Sequence, residues 1–324
     1  MKLRVLFVTA LVLLMASLAV VSAQDFDPCL GLAAEDCATI NEAYANLDGV
    51  NSFSFEYSID FSVSGIPESA GLGSSEVTFS NTGNGYMALN MEAMDTATIP
   101  ANISMTMTSS WSGFGPDMED ASDVLNEFMV IDNMIYLGDG TGMWLSIDPA
   151  ESADMGAATL GFDPTALAGD PAAMDDALGM ASGFMPLLNV PGFLAYTRDG
   201  DVYTFNADIT ALISSPEFMQ AMSSLSESED PNMQQAAMIV SILPMVFQEA
   251  NITVTQNVNP DMNVVDGVGF TLNATVDGSL LDPEISDPIV NSLDFNVNIA
   301  DANGEFEFVV PENVTPLDQM GMGS

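Results

Sequence analysis

Apolar and polar residues alternate without a break from Ser52 to Ser64. The even positions hold serine, aspartate or glutamate, and the odd positions hold Phe53, Phe55, Tyr57, Ile59, Phe61 and Val63. Side chains of a strand point alternately to its two faces, so this period of two predicts a long strand with one buried face and one wet face. A strand of this length is expected to bend or twist strongly.

The same alternation recurs on both sides of a helical middle. The segments that carry it are Val77–Phe79, Tyr86–Met91, Ile103–Met107, Phe193–Thr197, Val202–Asn206, Ile252–Gln256, Val268–Val276, Ile289–Ile299 and Phe306–Val310. With the central hairpin described next, they predict about a dozen one-sided strands joined by turns, of which Asn81–Gly85 is one. One-sided antiparallel strands form a sheet with a single apolar face, which other parts of the chain must cover.

The segment Asp132–Asp148 has the pattern of a β-hairpin. Two apolar runs, Met134–Leu137 and Met143–Ile147, flank the sequence Gly138-Asp139-Gly140-Thr141-Gly142. Glycine adopts the positive φ values that a tight reversal requires, so this sequence predicts the turn. Trp144 lies on the returning strand.

Several segments have the residue spacing of helices that could cover the apolar face of the sheet. Ile40, Tyr44 and Leu47 recur at helical intervals in Ala34–Leu47, and Gly49 ends that pattern. The other predicted helical segments are a short turn at Ala121–Asn126, short helices and loops over Pro149–Leu188, helices at Asp208–Ser214 and Pro216–Leu225, and a longer helix at Asn232–Ala250 kinked by Pro244.

The N-terminus has the features of a secretory signal. Lys2 and Arg4 precede an apolar run that ends at Ala23, so we expect residues 1–23 to be removed. The alternative is an uncleaved membrane anchor, although the run is barely long enough to span a bilayer. No cysteine stands at the cleavage point for lipid attachment, so we expect a secreted or extracytoplasmic protein without a stable membrane anchor. Residues 24–324 then form a single domain, with a helical insert at about 150–250.

Acidic residues dominate the charge. The chain has 46 aspartates and glutamates, three lysines and arginines and a formal net charge of −43. Without the signal, Arg198 is the only basic residue. Phosphate backbones and anionic membranes would be repelled, which excludes nucleic-acid binding. The acids are scattered, so we interpret them as a solvated surface that Ca2+ or added salt would screen.

The residue inventory argues against catalysis. The chain has no histidine and its one lysine is in the signal, which excludes histidine-dependent triads, lysine Schiff bases and histidine-based zinc sites. Paired-carboxylate chemistry stays open, but no acidic pair is singled out by an apolar setting. Cys29 and Cys37, the only cysteines, predict a local disulfide in an exported protein. We predict a protein that is not an enzyme and has no cofactor or metal site.

The order of elements resembles a known family. A first helix ending Leu47…Val50-Asn51-Ser52-Phe53, a long amphipathic strand and the Tyr136…Gly140…Trp144 hairpin are similar to the LolA/LppX–LprG lipid-carrier superfamily. The resemblance covers about residues 34–310. It implies an α+β fold in which a large curved antiparallel sheet, a half-barrel of about 10–12 strands, has helices covering its concave apolar face. It also implies a cavity that receives acyl chains.

We therefore predict a ligand cavity between the sheet and its helices. Strand alternation gives its lining as Phe53, Phe55, Tyr57, Phe61, Met105, Met107, Phe270 and Phe295, and we add Tyr136 and Trp144 of the hairpin. Many of the 23 methionines would fill an adaptable apolar interior. The expected partner is a lipid or another apolar small molecule. The alternative is a non-enzymatic cell-surface or matrix module for structure or adhesion, whose core is filled by its own side chains.

Overall fold

The computed structural model describes residues 32–67, 74–89, 101–115, 119–148, 187, 190–226, 242–281, 285 and 287–316. The predicted signal 1–23, Cys29 and most of the predicted insert lie outside these residues, so the predictions made for them stay predictions. Among the helices described, none combines the length and apolarity needed to cross a membrane.

The described strands form one open, curved sheet. They are β1 (Ser52–Ser64), β2 (Glu76–Leu89), β3 (Ala101–Ser112), β4 (Ala121–Ile131), β5 (Met134–Gly138), β6 (Trp144–Ile147), β7 (Leu194–Asp199), β8 (Val202–Asp208), β9 (Phe247–Asn259), β10 (Val264–Val276), β11 (Ile289–Ala300) and β12 (Val314–Pro316). Their order is β12-β6-β5-β4-β3-β2-β1-β11-β10-β9-β8-β7. All neighbours are antiparallel except β12 and β6, which run parallel. The predicted α+β fold with a large curved sheet is confirmed.

Strand register defines an apolar face and a polar face. Partners across a sheet point to the same side, and Tyr57 on β1 pairs with both Gly83 on β2 and Val297 on β11. We followed this register through every strand pairing. The apolar face contains the odd-numbered residues of β1, β2, β3, β5, β6, β8 and β11. It also contains the even-numbered residues of β4, β7, β9 from Ala250 and β10 from Val268. Serine, threonine and asparagine occupy most of the opposite, polar face.

Short helices cover one half of the apolar face. The described helices are α1 (Ala34–Leu47), α2 (Ile209–Ile213), α3 (Pro216–Ser226), α4 (Leu243–Val246) and α5 (Gly278–Leu281). The Asp208 carboxylate begins α2 by accepting a hydrogen bond of 2.8 Å from the backbone N–H of Ala211. The helices predicted at Ala34–Leu47, Asp208–Ser214 and Pro216–Leu225 are confirmed.

Two predicted connections are strands in the structure. Asn81–Gly85, interpreted as a turn, lies within β2, and Ala121–Asn126, interpreted as a helical turn, begins β4. Both segments complete a ladder with β3, so backbone pairing outweighs the local turn signal of Asn and Gly. The two segments therefore extend the sheet rather than interrupt it.

The helix predicted at Asn232–Ala250 is wrong where the structure describes it. Pro244 stands in the first turn of α4, the position that proline favours, and so begins a short helix rather than kinking a long one. From Phe247 onward the chain is extended as β9, between β8 and β10. The ladder on both sides satisfies the backbone of this segment.

The segment after β11 was predicted as a strand at Phe306–Val310 and is irregular instead. It lies against Tyr86 of the polar face, whose ring centroid is 5.2 Å from the rings of both Phe306 and Phe308. The Tyr86 hydroxyl donates a hydrogen bond of 3.1 Å to the carbonyl oxygen of Glu307. This C-terminal segment then reaches the far edge of the sheet as β12.

Candidate ligand-binding site

The aromatic residues of β1 form a continuous row on the apolar face. Phe53 and Phe55 meet edge to face with ring centroids 6.2 Å apart, and Phe55 stacks on Tyr57 with centroids 6.4 Å apart. All members of the row are partly buried. Burial raises the pKa of the Tyr57 phenol, because the apolar surroundings disfavour its charged form. Tyr57 is therefore a neutral part of an apolar surface at physiological pH.

Two glycines leave bare backbone beside this row. Gly83 pairs with Tyr57, and Gly85 pairs with Phe55. A Cβ atom on Gly83 would lie 2.5 Å from the ring of Tyr57 and 2.8 Å from the carbonyl oxygen of Thr106. A Cβ atom on Gly85 would lie 2.3 Å from the carbonyl oxygen of Ser104. Side chains are therefore excluded here, and the ring of Tyr57 lies over the backbone of Gly83.

Methionines continue the apolar surface on the far side of the glycines. Met107 is the β3 partner of Gly83 and Met105 that of Gly85, and Met105 in turn pairs with Phe128 on β4. The register thus brings the predicted residues Phe53, Phe55, Tyr57, Met105 and Met107 onto one surface. Phe128 was not among the predicted cavity residues. The helical turn predicted at Ala121–Asn126 is the start of β4, and the alternation of that strand brings Phe128 onto this surface.

We call the apolar face of β1 to β6 the open half and that of β7 to β11 the covered half. In the covered half, α2 and α3 pack Ile213 and Phe218 on Ile252 and Leu272. At the other end of the same strands, α1 packs Ile40 and Ala43 on Tyr203, Val258 and Val265. Neither described cluster contains a residue of β1 to β6.

Phe270 and Phe295 link the two halves. Phe295 on β11 pairs with Phe270 on one side and with Ile59 of the open half on the other. Phe270 packs against the cluster beneath the helices, so its neighbours are core residues of the protein itself. Phe61 remains in the open half, where it pairs with Phe79.

Tyr136 and Trp144 lie on the opposite side of the sheet from the other predicted cavity residues. Tyr136 pairs with Met129 and Ser146, and Trp144 pairs with Gly138, which places both on the polar face. There they form a buried cluster with Ile131, against which Phe308 and Val314 of the C-terminal segment pack. The hairpin itself is confirmed, but these two side chains do not join the row of β1.

A shallow groove of about 440 Å3 crosses the ends of five strands. Its lining combines hydroxyl and carboxylate residues of the polar face, among them Asp60, Ser62, Thr78, Ser110 and Asp294, with the aromatic residues Phe61, Phe79 and Trp111. Of the predicted cavity residues it includes Phe61 alone. This groove is therefore distinct from the predicted apolar cavity.

Arg198 links α1 to the covered half through side-chain contacts. Its guanidinium forms an ion pair with Asp36 of α1 and lies over the ring of Tyr203, 5.1 Å from the centroid. Among the described residues, no three histidine, cysteine, aspartate or glutamate side chains are placed to hold a metal ion. The predicted partner of Cys37 lies outside the described residues, so the Cys29–Cys37 disulfide stays a prediction.

Two solved structures are distantly similar to the chain. No protein-family model and no curated protein matches the chain. A solved structure of lipid–protein interactions in lipovitellin is similar over 80% of this chain, with 8% identity and a TM-score of 0.26, and the chain spans 26% of that protein. A β-barrel-like protein domain of unknown function from Brucella abortus is similar over 77% of this chain and 99% of its own, with 10% identity and a TM-score of 0.15. The LolA/LppX–LprG resemblance stays a hypothesis, and function has to be argued from the site.

Proposed function

We propose that this is a secreted, non-enzymatic protein that binds a lipid or another apolar or amphiphilic molecule on the open half of its apolar face. The observation that carries the proposal is the continuous surface of Phe53, Phe55, Tyr57, Met105 and Met107, on which no described helix packs its core side chains. Large contiguous apolar surfaces are rare on soluble proteins except where something binds.

The chemistry of this surface suits flexible chains. Methionine side chains adapt to irregular shapes, and the aromatic rings supply large areas for apolar contact. The absence of a side chain at Gly83 lets the Tyr57 ring lie flat against β2 within this surface. With a net charge of −43, the protein favours neutral ligands over anionic ones.

The covered half supports a second candidate, a structural or adhesion module with a self-filled core. Helix side chains there close completely over Ile252, Leu272 and Ala274, which are 3–5% exposed. If the open half were filled in the same manner by the protein's own residues, no ligand would bind. The two candidates therefore make opposite predictions for one experiment.

That experiment compares two neighbouring residues of β3. A neutral, long-chain fluorophore is titrated into the wild type, Met107→Glu and Thr108→Glu. Both variants gain one carboxylate, but Met107 faces the apolar side and Thr108 the polar side. We expect wild type and Thr108→Glu to bind with micromolar or better affinity. Met107→Glu should lose binding, because an apolar contact would desolvate an unpaired charge.

Circular dichroism and thermal melting establish that both variants are folded. Absence of binding to folded wild type would favour the self-filled module. Equal binding by Met107→Glu and Thr108→Glu would show that the ligand lies elsewhere, and would contradict the assignment of the open half.

A further inference from the structure

Asn291 is an anomaly on the apolar face. Its backbone pairs with Val63 on β1 and Ala274 on β10, and its neighbours along β11 on the same side are Ile289 and Leu293. Its Nδ2 atom is buried without a hydrogen-bond partner. Buried polar groups in native proteins are nearly always paired, so an orphan donor in apolar surroundings calls for an explanation.

Two other amides on the apolar face have partners. Asn81 Nδ2 donates a hydrogen bond of 2.7 Å to Ser109 Oγ, and Asn126 Nδ2 donates one of 3.3 Å to the carbonyl oxygen of Val124. A bound water is a poor partner for Asn291, since a buried water needs two to four polar groups. The four residues around Asn291 on this face offer only aliphatic side chains.

We propose that Asn291, on β11 where the covered half meets β1 of the open half, is the polar anchor for the head group of the bound amphiphile, a step that rests on the proposed function. The amide nitrogen donates to an oxygen acceptor carried in by the ligand. Because the protein is strongly acidic, an uncharged acceptor such as an ester carbonyl fits better than a carboxylate. The ligand class is therefore a neutral acyl ester.

The location of Asn291 gives the ligand a direction. It lies beside Val63, at one end of the β1 row, and Phe53 lies about 33 Å away at the other end at the usual rise of a strand. Asn81, which pairs with Ile59, and its β3 partner Ser109 also lie nearer the Val63 end. Phe53, Phe55 and Met105 occupy the other end. The head group would lie beside Asn291 at the Val63 end, and the acyl chain would lie along the aromatic row toward Phe53.

Two probes that differ only in the head group test this inference. Dodecylpyrene has no hydrogen-bonding group, and the methyl ester of pyrenyldodecanoic acid adds one acceptor to the same chain. Both are titrated into wild type, Asn291→Leu and the control Asn298→Leu, which changes an exposed asparagine on the polar face of the same strand. A neutral hydrogen bond corresponds to a preference of roughly five- to tenfold.

We expect wild type and Asn298→Leu to prefer the ester by that factor. Asn291→Leu should bind both probes equally and dodecylpyrene at least as tightly as wild type. If dodecylpyrene binds but wild type shows no ester preference, or Asn291→Leu keeps it, the role of Asn291 is overturned and the proposed function stands. If neither probe binds folded wild type, both proposals are overturned.

Discussion

The two halves of the apolar face are built from the same alternating strands and differ in what packs on them. In the covered half, Leu272 and Ala274 are each 5% exposed and Val276 is 1% exposed beneath or beside short helices. In the open half, the aromatic row of β1 stays partly exposed over its whole length. Alternation along a strand therefore specifies that a face is apolar, but not whether the protein or a ligand will cover it.

This difference separates stability from function. Side chains that are enclosed on all sides contribute most to folding, because their removal leaves a cavity. Partly exposed apolar residues contribute less to folding and are available for contact with another molecule. Leu272 and its enclosed neighbours are therefore expected to contribute more to folding stability than the aromatic row of β1, which is the surface proposed for ligand contact.

The largest expected effect is truncation of the covered half. Leu272→Ala should lower the free energy of unfolding by about 2–5 kcal/mol, because Leu272 lies in the core beneath α2 and α3. The matched change Met107→Ala in the open half should cost about 1 kcal/mol or less, as for partly exposed positions. Urea unfolding of both variants measures the two values. Equal losses would remove the distinction between the halves.

Added salt should have the next largest effect. It should change the melting temperature more than the affinity for a neutral ligand. Dispersed acids repel one another in the folded state, so NaCl or millimolar Ca2+ should raise the melting temperature. Affinity for a neutral probe should change little over the same titration, because the open half contributes apolar contacts. A flat melting temperature would mean that the acids are too dispersed to matter.

A smaller effect is expected from the tether between α1 and the covered half. Arg198→Gln removes the ion pair with Asp36 and the contact with Tyr203. The Arg198 side chain is 43% exposed, so we expect only a small decrease in the free energy of unfolding. A double-mutant cycle with Asp36→Asn isolates the pair. A coupling near zero would show that the ion pair does not contribute to holding α1 on the sheet.

The smallest effects concern one matched pair of aspartates. Hydrogen bonds from Ser279 lower the pKa of Asp277 beside the covered half, and hydrogen bonds from Thr141 lower that of Asp139 in the β5–β6 turn. Each carboxylate therefore stabilises the fold above its unfolded pKa, and that contribution is lost as pH falls through the lowered folded pKa. Asp277→Asn and Asp139→Asn should melt slightly lower than wild type at pH 7, with the difference vanishing in acid. A difference that persists in acid would contradict the charge-based cause.

Local pattern was sufficient to predict the longest elements. Ala34–Leu47 and Ser52–Ser64 have the predicted bounds, because each has an uninterrupted period that only one secondary structure satisfies. The turn predicted at Asn81–Gly85 is wrong, because Gly83 and Gly85 lie within β2 and allow the neighbouring strand to approach closely. Tyr136 and Trp144 were predicted in the cavity lining, but the register places them on the polar face. The C-terminal segment covers them there, a long-range contact that no local pattern reports.

The location of a bound chain tests the central claim most directly. An acyl chain bearing a diazirine at its end is incubated with the protein, irradiated and mapped by peptide mass spectrometry, with unlabelled ligand as competitor. We predict competable cross-links in β1, β3 and β4, at the row of Phe53 to Phe61 and at Met105, Met107 or Phe128. Cross-links confined to the helices and strands of the covered half, or none that unlabelled ligand displaces, would contradict the assignment of the open half as the ligand site.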